Sequence, residues 1–104
     1  MKKEYNKLVR DLVPRVIEAD GHQYKTHTAT PDEFRLKLDE KLKEEIEEFL
    51  ADPNAEEMAD ILEVLETFRK EYKIGLDRVK YQKESKLVNK GGFEQKIILE
   101  WTKK

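Results

Sequence analysis

The chain has 104 residues, 38% hydrophobic and 42% charged, with a formal net charge of −2. That composition fits one helical, well-solvated domain over residues 1–104 rather than a sandwich. The absence of cysteine excludes disulfides and thiolate metal sites and is compatible with a cytoplasmic protein, and no apolar run approaches the ~20 residues of a membrane span.

Taken in chain order, Asp11 to Asp20 reads as a short helix, with Asp11 as its cap, Pro14 in its first turn and Gly21 beyond its end. Tyr24 to Thr30 has threonine at alternate positions and predicts a short strand. Thr30-Pro31-Asp32-Glu33 is a helix start: threonine caps, proline takes the first helical position, and Glu33 completes a capping box. This helix runs to about Ala51 and is broken by Asp52-Pro53-Asn54. Asn54 caps a second long helix, from about Ala55 to Tyr72, and Gly75 ends that region. A third runs from Leu76 to Asn89, with Gly91-Gly92 as its stop. Phe93 to Trp101 alternates Ile97, Leu99 and Trp101 and predicts a strand that pairs with the early one. The fold expected is mainly α, a helical bundle with a small β element near the termini.

Charge is segregated along this frame. Residues 32–66 carry 14 acids and 4 bases, residues 1–31 carry 4 acids and 6 bases, and residues 67–104 carry 5 acids and 11 bases. An acidic centre between basic ends suits a metal in the middle and phosphate from the sides. The acidic balance argues against duplex nucleic acid as a partner.

The position of the acids around each helix is more telling than their number. At about 100° per residue, with Leu38 at zero, the stripe of Phe34, Leu38, Phe49, Leu42 and Ile46 spans about −40° to +80°. Glu45 falls at about −20°, inside the stripe, and Glu48 at about −80°, on its edge. On the second long helix Glu57 shares the stripe of Val64, Phe68, Ile61 and Leu65, and Asp60 lies at its edge. Antiparallel packing through these stripes brings four carboxylates together. A buried, unpaired carboxylate costs several kcal/mol, so the cluster needs a counter-charge, and the second stripe contains no lysine or arginine. Mg²⁺ suits it, since it takes carboxylates and retains waters for a substrate. Four carboxylates exceed the charge of one ion, which predicts two ions, or one ion and a protonated acid. Glu57 has a second reading, because Asn54-Ala55-Glu56-Glu57 is itself a capping box. Glu45 and Glu48 also read as a charged helix face.

Glu44-Glu45-Ile46-Glu47-Glu48 followed by Glu57-Met58-Ala59-Asp60 is an EExxE…ExxD pattern. It resembles the MazG-like all-α nucleoside triphosphate pyrophosphatases, the superfamily that includes phosphoribosyl-ATP pyrophosphohydrolase. Tyr5-Asn6-Lys7-Leu8-Val9-Arg10-Asp11 with Pro14 looks like the opening of one branch, and Lys86 through Gly91-Gly92-Phe93 like its closing segment. The resemblance spans about residues 5–99. It implies Mg²⁺-dependent hydrolysis between the α and β phosphates, releasing a nucleoside monophosphate and pyrophosphate, with Mn²⁺ as an alternative metal. It implies Glu45, Glu48, Glu57 and Asp60 as metal ligands, and metal-assisted catalysis through Glu44, Glu45 and Glu48, with Glu44 the candidate to orient the attacking water. Asn6, Lys7, Arg10, Lys86 and Lys90 become candidates for the triphosphate; each lysine also reads as solvated surface, and Asn6 as a turn residue. His22, His27 and Trp101 are read as surface or packing residues.

Two features depart from the pattern. Eight residues separate Glu48 from Glu57, fewer than in many members, and Lys90 stands where this branch has arginine, whose bidentate fork lysine lacks. The expectation is a house-cleaning pyrophosphatase working as a homodimer or homotetramer. The alternatives are phosphoribosyl-ATP hydrolysis in histidine biosynthesis and a non-catalytic helical interaction or regulatory module.

Overall fold

The computed structural model describes residues 2–104 and consists of four helices in order: α1 (Val13–Ala19), α2 (Pro31–Ala51), α3 (Ala55–Glu71) and α4 (Leu76–Lys90). The chain divides into two compact units, Met1–Phe68 and Arg69–Lys104, with α3 running across the boundary. No strand is present among the described residues.

In the first unit α2 and α3 form a helical hairpin whose link, residues 52–54, is too short for anything but antiparallel neighbours. Both starts are capped as the sequence predicts. The Thr30 side chain accepts from the Glu33 amide at 3.3 Å, and Asn54 Oδ1 accepts from the Glu57 amide at 2.9 Å. The capping box at Thr30 is only half made: the Glu33 carboxylate turns instead to His27, with both oxygens 3.0 Å from Nε2. His27 therefore has a partner that spacing alone did not suggest. Burial follows most of the expected stripes, with Leu38 of α2 and Val64 of α3 enclosed and Phe34, Leu42, Phe49, Ile61 and Phe68 partly so, but Ile46 and Leu65, at the same edge of each stripe, are exposed. α1 keeps Pro14 in its first turn, but Leu12, not Asp11, is its first flanking residue, and no side chain caps it. Gly21, at φ +82°, turns the chain away from it.

In the second unit, α4 ends at Gly91, whose φ of +79° suits an achiral residue and whose amide bonds to the Leu87 carbonyl at 2.9 Å. The turn between α3 and α4 is made by Lys73, at φ +55°, with the Ile74 amide reaching back to the Arg69 carbonyl at 2.9 Å. Gly75, expected to end α3, instead precedes α4 with an ordinary extended backbone.

The small β element expected near the termini does not form. Residues 24–30 make no ladder, and Thr30, at their end, is taken by the α2 cap. In the later segment the Lys96 amide bonds to the Phe93 carbonyl at 3.1 Å and Lys96 adopts φ +58°, a turn that interrupts the alternation. Only Ile97 to Trp101 then keeps the alternating pattern, too short a run to be stable unpaired, and its apolar side chains are exposed. No helix among the described residues is long and apolar enough to cross a membrane.

Candidate metal centre

The hairpin brings the expected acids together within the first unit. Oxygens of Glu44, Glu45 and Glu48 lie within 4.8 Å of one another, and so do oxygens of Glu45, Glu57 and Asp60. Glu45 belongs to both trios. Its residue is 5% exposed, the one charged residue that is buried among those described, which is where its place inside the apolar stripe puts it. Glu48, at the stripe edge, is exposed, and Glu44, Glu57 and Asp60 are partly enclosed.

Two oxygens in this cluster are cut off from solvent and have no hydrogen-bonding partner: Glu45 Oε2 and Glu57 Oε2. An unsatisfied buried acceptor is unfavourable, and a charged one more so. The second bears on the capping-box reading of Glu57. Its backbone amide serves the Asn54 cap, whereas its Oε2 makes no bond back to that cap. The cap fixes where Glu57 sits without using this oxygen.

The surrounding acids are not left to themselves. Lys41, on α2, stands 3.2 Å from Glu45 Oε1 and 3.6 Å from Glu44 Oε1. Lys7 Nζ donates to Glu44 Oε1 at 3.0 Å, and Arg10 Nη2 donates to Asp60 Oδ1 at 2.7 Å. Lys41 was missed by sequence reasoning, although its i,i+3 and i,i+4 spacing to Glu44 and Glu45 was visible. Lys7 and Arg10 were read as phosphate ligands; in this structure they rest on carboxylates.

These contacts set the electrostatics. The hydrogen bond to Glu44 raises the Lys7 ammonium above the usual lysine range and outweighs the opposing effect of partial burial. Burial pushes the Glu44 carboxyl up, but the Lys7 hydrogen bond and the charge of Lys41 outweigh it and hold the group below its ordinary value. Glu57 moves the other way. Loss of solvent raises it, and the charge of Glu48, a side-chain hydrogen bond with Glu48, and the charges of Asp60 and Glu45 raise it further. Five carboxylates against the three cations Lys7, Arg10 and Lys41 leave a formal charge of −2, which one divalent cation would balance.

The donor set contains only carboxylate oxygens, without thiol or imidazole, which fits a hard cation such as Mg²⁺, Mn²⁺ or Ca²⁺ and not a soft one. The two orphaned oxygens give such an ion its most enclosed ligands. No family model matches the chain, and no curated protein or solved structure matches it significantly.

The remaining candidates sit elsewhere. Asn6 is exposed with φ +48°, a left-handed conformation that asparagine tolerates; its visible role is to bend the chain just before Lys7. Lys86 and Lys90 are exposed on α4, in the second unit, four residues apart.

Proposed function

We propose that this protein is a Mg²⁺-dependent nucleoside triphosphate pyrophosphohydrolase, cleaving between the α and β phosphates to release a nucleoside monophosphate and pyrophosphate. The observation that carries this reading is the pair of solvent-excluded, unpartnered oxygens, Glu45 Oε2 and Glu57 Oε2, inside a cluster of five convergent carboxylates. Glu45, Glu48, Glu57 and Asp60 are the residues to hold the ion. When bound, such a cation neutralises phosphate charge and acidifies water. Glu44, held in its ionised form by Lys7 and Lys41, is the candidate to orient the attacking water. Asn6, Lys7, Arg10, Lys86 and Lys90 remain candidates for the triphosphate. We place the enzyme in the cytoplasm as a house-cleaning activity against non-canonical nucleotides, with phosphoribosyl-ATP as the alternative substrate. Membership of the MazG-like group rests on the ordered motifs described above.

The same reading includes self-association to a homodimer or homotetramer. Its support is the number of large apolar side chains left exposed in each unit, among them Leu50 and Leu62 in the first and Val88 and Phe93 in the second. Light scattering that gave a monomer at working concentration would remove this part.

A second reading has its own observation. Lys7, Arg10 and Lys41 supply three counter-charges from the chain itself, which is what a helical interaction module without metal would need. Pyrophosphate release from a panel of triphosphates, with and without Mg²⁺, separates the two. Metal-dependent release from at least one substrate is expected. No release from any substrate, together with no metal-dependent thermal shift, would favour the module.

A further inference from the structure

Residues 2–10 have no regular secondary structure, yet they are not detached. Leu8 and Val9 are half-buried, and on either side of them Lys7 and Arg10 reach the acid cluster. The two cations do not take the same helix: Lys7 holds Glu44 of α2, and Arg10 holds Asp60 of α3. The segment therefore bridges α2 and α3, with two half-buried apolar residues in its middle and a charged contact on each side of them. The Arg10 carbonyl accepts from the Val13 amide at 3.0 Å, which ties the far end of the segment to the start of α1.

Arg10 engages the only one of the four proposed ligands that carries a cation from outside the hairpin. Glu45 is met by Lys41 of its own helix, and Glu45 and Glu57 each keep a free inner oxygen. A divalent ion drawing on the Glu45, Glu57 and Asp60 oxygens has to share Asp60 with a guanidinium 2.7 Å away. Two cations on one carboxylate repel, and the Arg10 side chain is more than half exposed and free to swing out.

We propose that the segment from Lys7 to Arg10 is a counter-ion strap: Arg10 occupies Asp60 in the metal-free protein, and a divalent cation displaces it. This rests on the metal-centre reading above and adds a regulation to it. Cation entry and strap release are one linked equilibrium, so the ion binds more weakly than the carboxylates alone would allow. Release presents the guanidinium at the mouth of the site when the ion arrives, ready for an anionic ligand. The protein thereby couples its affinity for the cation to the availability of an arginine.

The test is calorimetric titration of Mn²⁺, without nucleotide, into the wild type, Arg10→Ala and Arg10→Gln. Removing the competing cation should tighten binding roughly two- to fivefold in both variants, the range set by an exposed ion pair. Glutamine keeps much of the side-chain bulk, so agreement between the variants excludes a packing effect. Side-chain resonances give an independent readout: the Arg10 guanidinium signal of the wild type should shift when Mg²⁺ is added, and the Lys7 ammonium signal should not. Unchanged or weaker Mn²⁺ binding in both variants, with the wild type binding the ion, would overturn the strap and leave the metal centre standing. No Mn²⁺ binding by the wild type would instead overturn the metal centre and the strap with it.

Discussion

The inner oxygens of the acid cluster and its outer acids meet the same electrostatic demand in different ways. Glu44 and Asp60, at the outside, are matched by Lys7 and Arg10, which come from a segment more than thirty residues earlier in the chain. Glu45 and Glu57, further in, each keep an oxygen with neither solvent nor partner. Exposed pairs of the first kind are common and contribute little to stability. An inner acceptor without a partner is a local cost that a leucine would avoid. The difference separates acids whose charge is met by the chain itself from acids that, on the proposed function, a cation would meet.

The largest expected effect breaks the comparison at its inner member. Glu45→Gln keeps the shape and removes the charge shared by both trios. On the proposed function it should lower kcat/KM by at least about 100-fold, the upper end of what loss of a supporting residue around a metal costs. Circular dichroism of this variant should be unchanged. Near-wild-type turnover would remove Glu45 from the ligand set. Glu45→Leu tests the other side of the same argument. Combined with Lys41→Met, so that the pair and not one partner is removed, it should in metal-free buffer be as stable as the wild type or more so, by about 1–2 kcal/mol, which raises the melting temperature by roughly 4–15 °C for a chain of this size. A clear drop in stability would mean that Lys41 satisfies Glu45 fully and that no ligand is needed.

Much of this inner region was legible in the sequence, because a helical wheel reports which side of a helix faces the core. It placed Glu45 with Leu38 and Glu57 with Val64, and burial agrees for Glu45. Thr30, Asn54 and Gly91 were equally legible, since caps depend on a few adjacent residues. The outer region was not. Nothing local to Lys7 or Arg10 says that they meet Glu44 and Asp60, because those contacts depend on the path of residues 2–10 across the hairpin. The strand expected at Phe93–Trp101 failed for a related reason: alternation describes a strand only where a ladder partner exists, and the turn at Lys96 interrupts the run.

Asn54→Ala separates the two duties of Glu57. Losing the side-chain acceptor at the start of α3 should cost about 1 kcal/mol, seen as a lower melting temperature with and without Mg²⁺. If the cap only places Glu57, the metal-dependent increment in melting temperature should survive. Loss of that increment alone would make the cap part of the metal centre.

The pH dependence of metal-free stability sharpens the contrast, because the two regions carry opposite signs. Glu57 binds its proton more tightly in the folded chain than in the unfolded one. Its contribution therefore favours folding at low pH and falls as pH rises from the ordinary carboxylate value, 4.5, through its raised folded value. Glu44 is lowered, so its contribution is present above 4.5 and is lost as pH falls through its folded value. Lys7 is raised, and its contribution lasts to alkaline pH before it is lost. Thermal melts in a chelating buffer should show that Glu57→Gln removes a component that declines as pH rises above 4.5. Glu44→Gln should remove one that is lost only on acidification. A Glu57→Gln profile parallel to the wild type would contradict the raised value.

The smallest effects belong to the outer pairs and decide whether they are ordinary. A double-mutant cycle on Lys7 and Glu44, and another on Arg10 and Asp60, should each give a coupling of about 0.2–1 kcal/mol in metal-free protein, declining with added salt. Both pairs are partly exposed, and solvent screening keeps them in that range despite their short distances. What distinguishes them is their response to a divalent cation. Glu44 shares a trio with the buried Glu45, but its oxygen is already held by two lysines, so the Lys7 coupling should persist when Mn²⁺ is added. Asp60 is a proposed ligand, so the Arg10 coupling should vanish. If both couplings vanish together, the ion disturbs the whole segment and Glu44 belongs to its ligand shell. If both persist, Asp60 does not bind the ion and the centre reduces to Glu45, Glu48 and Glu57.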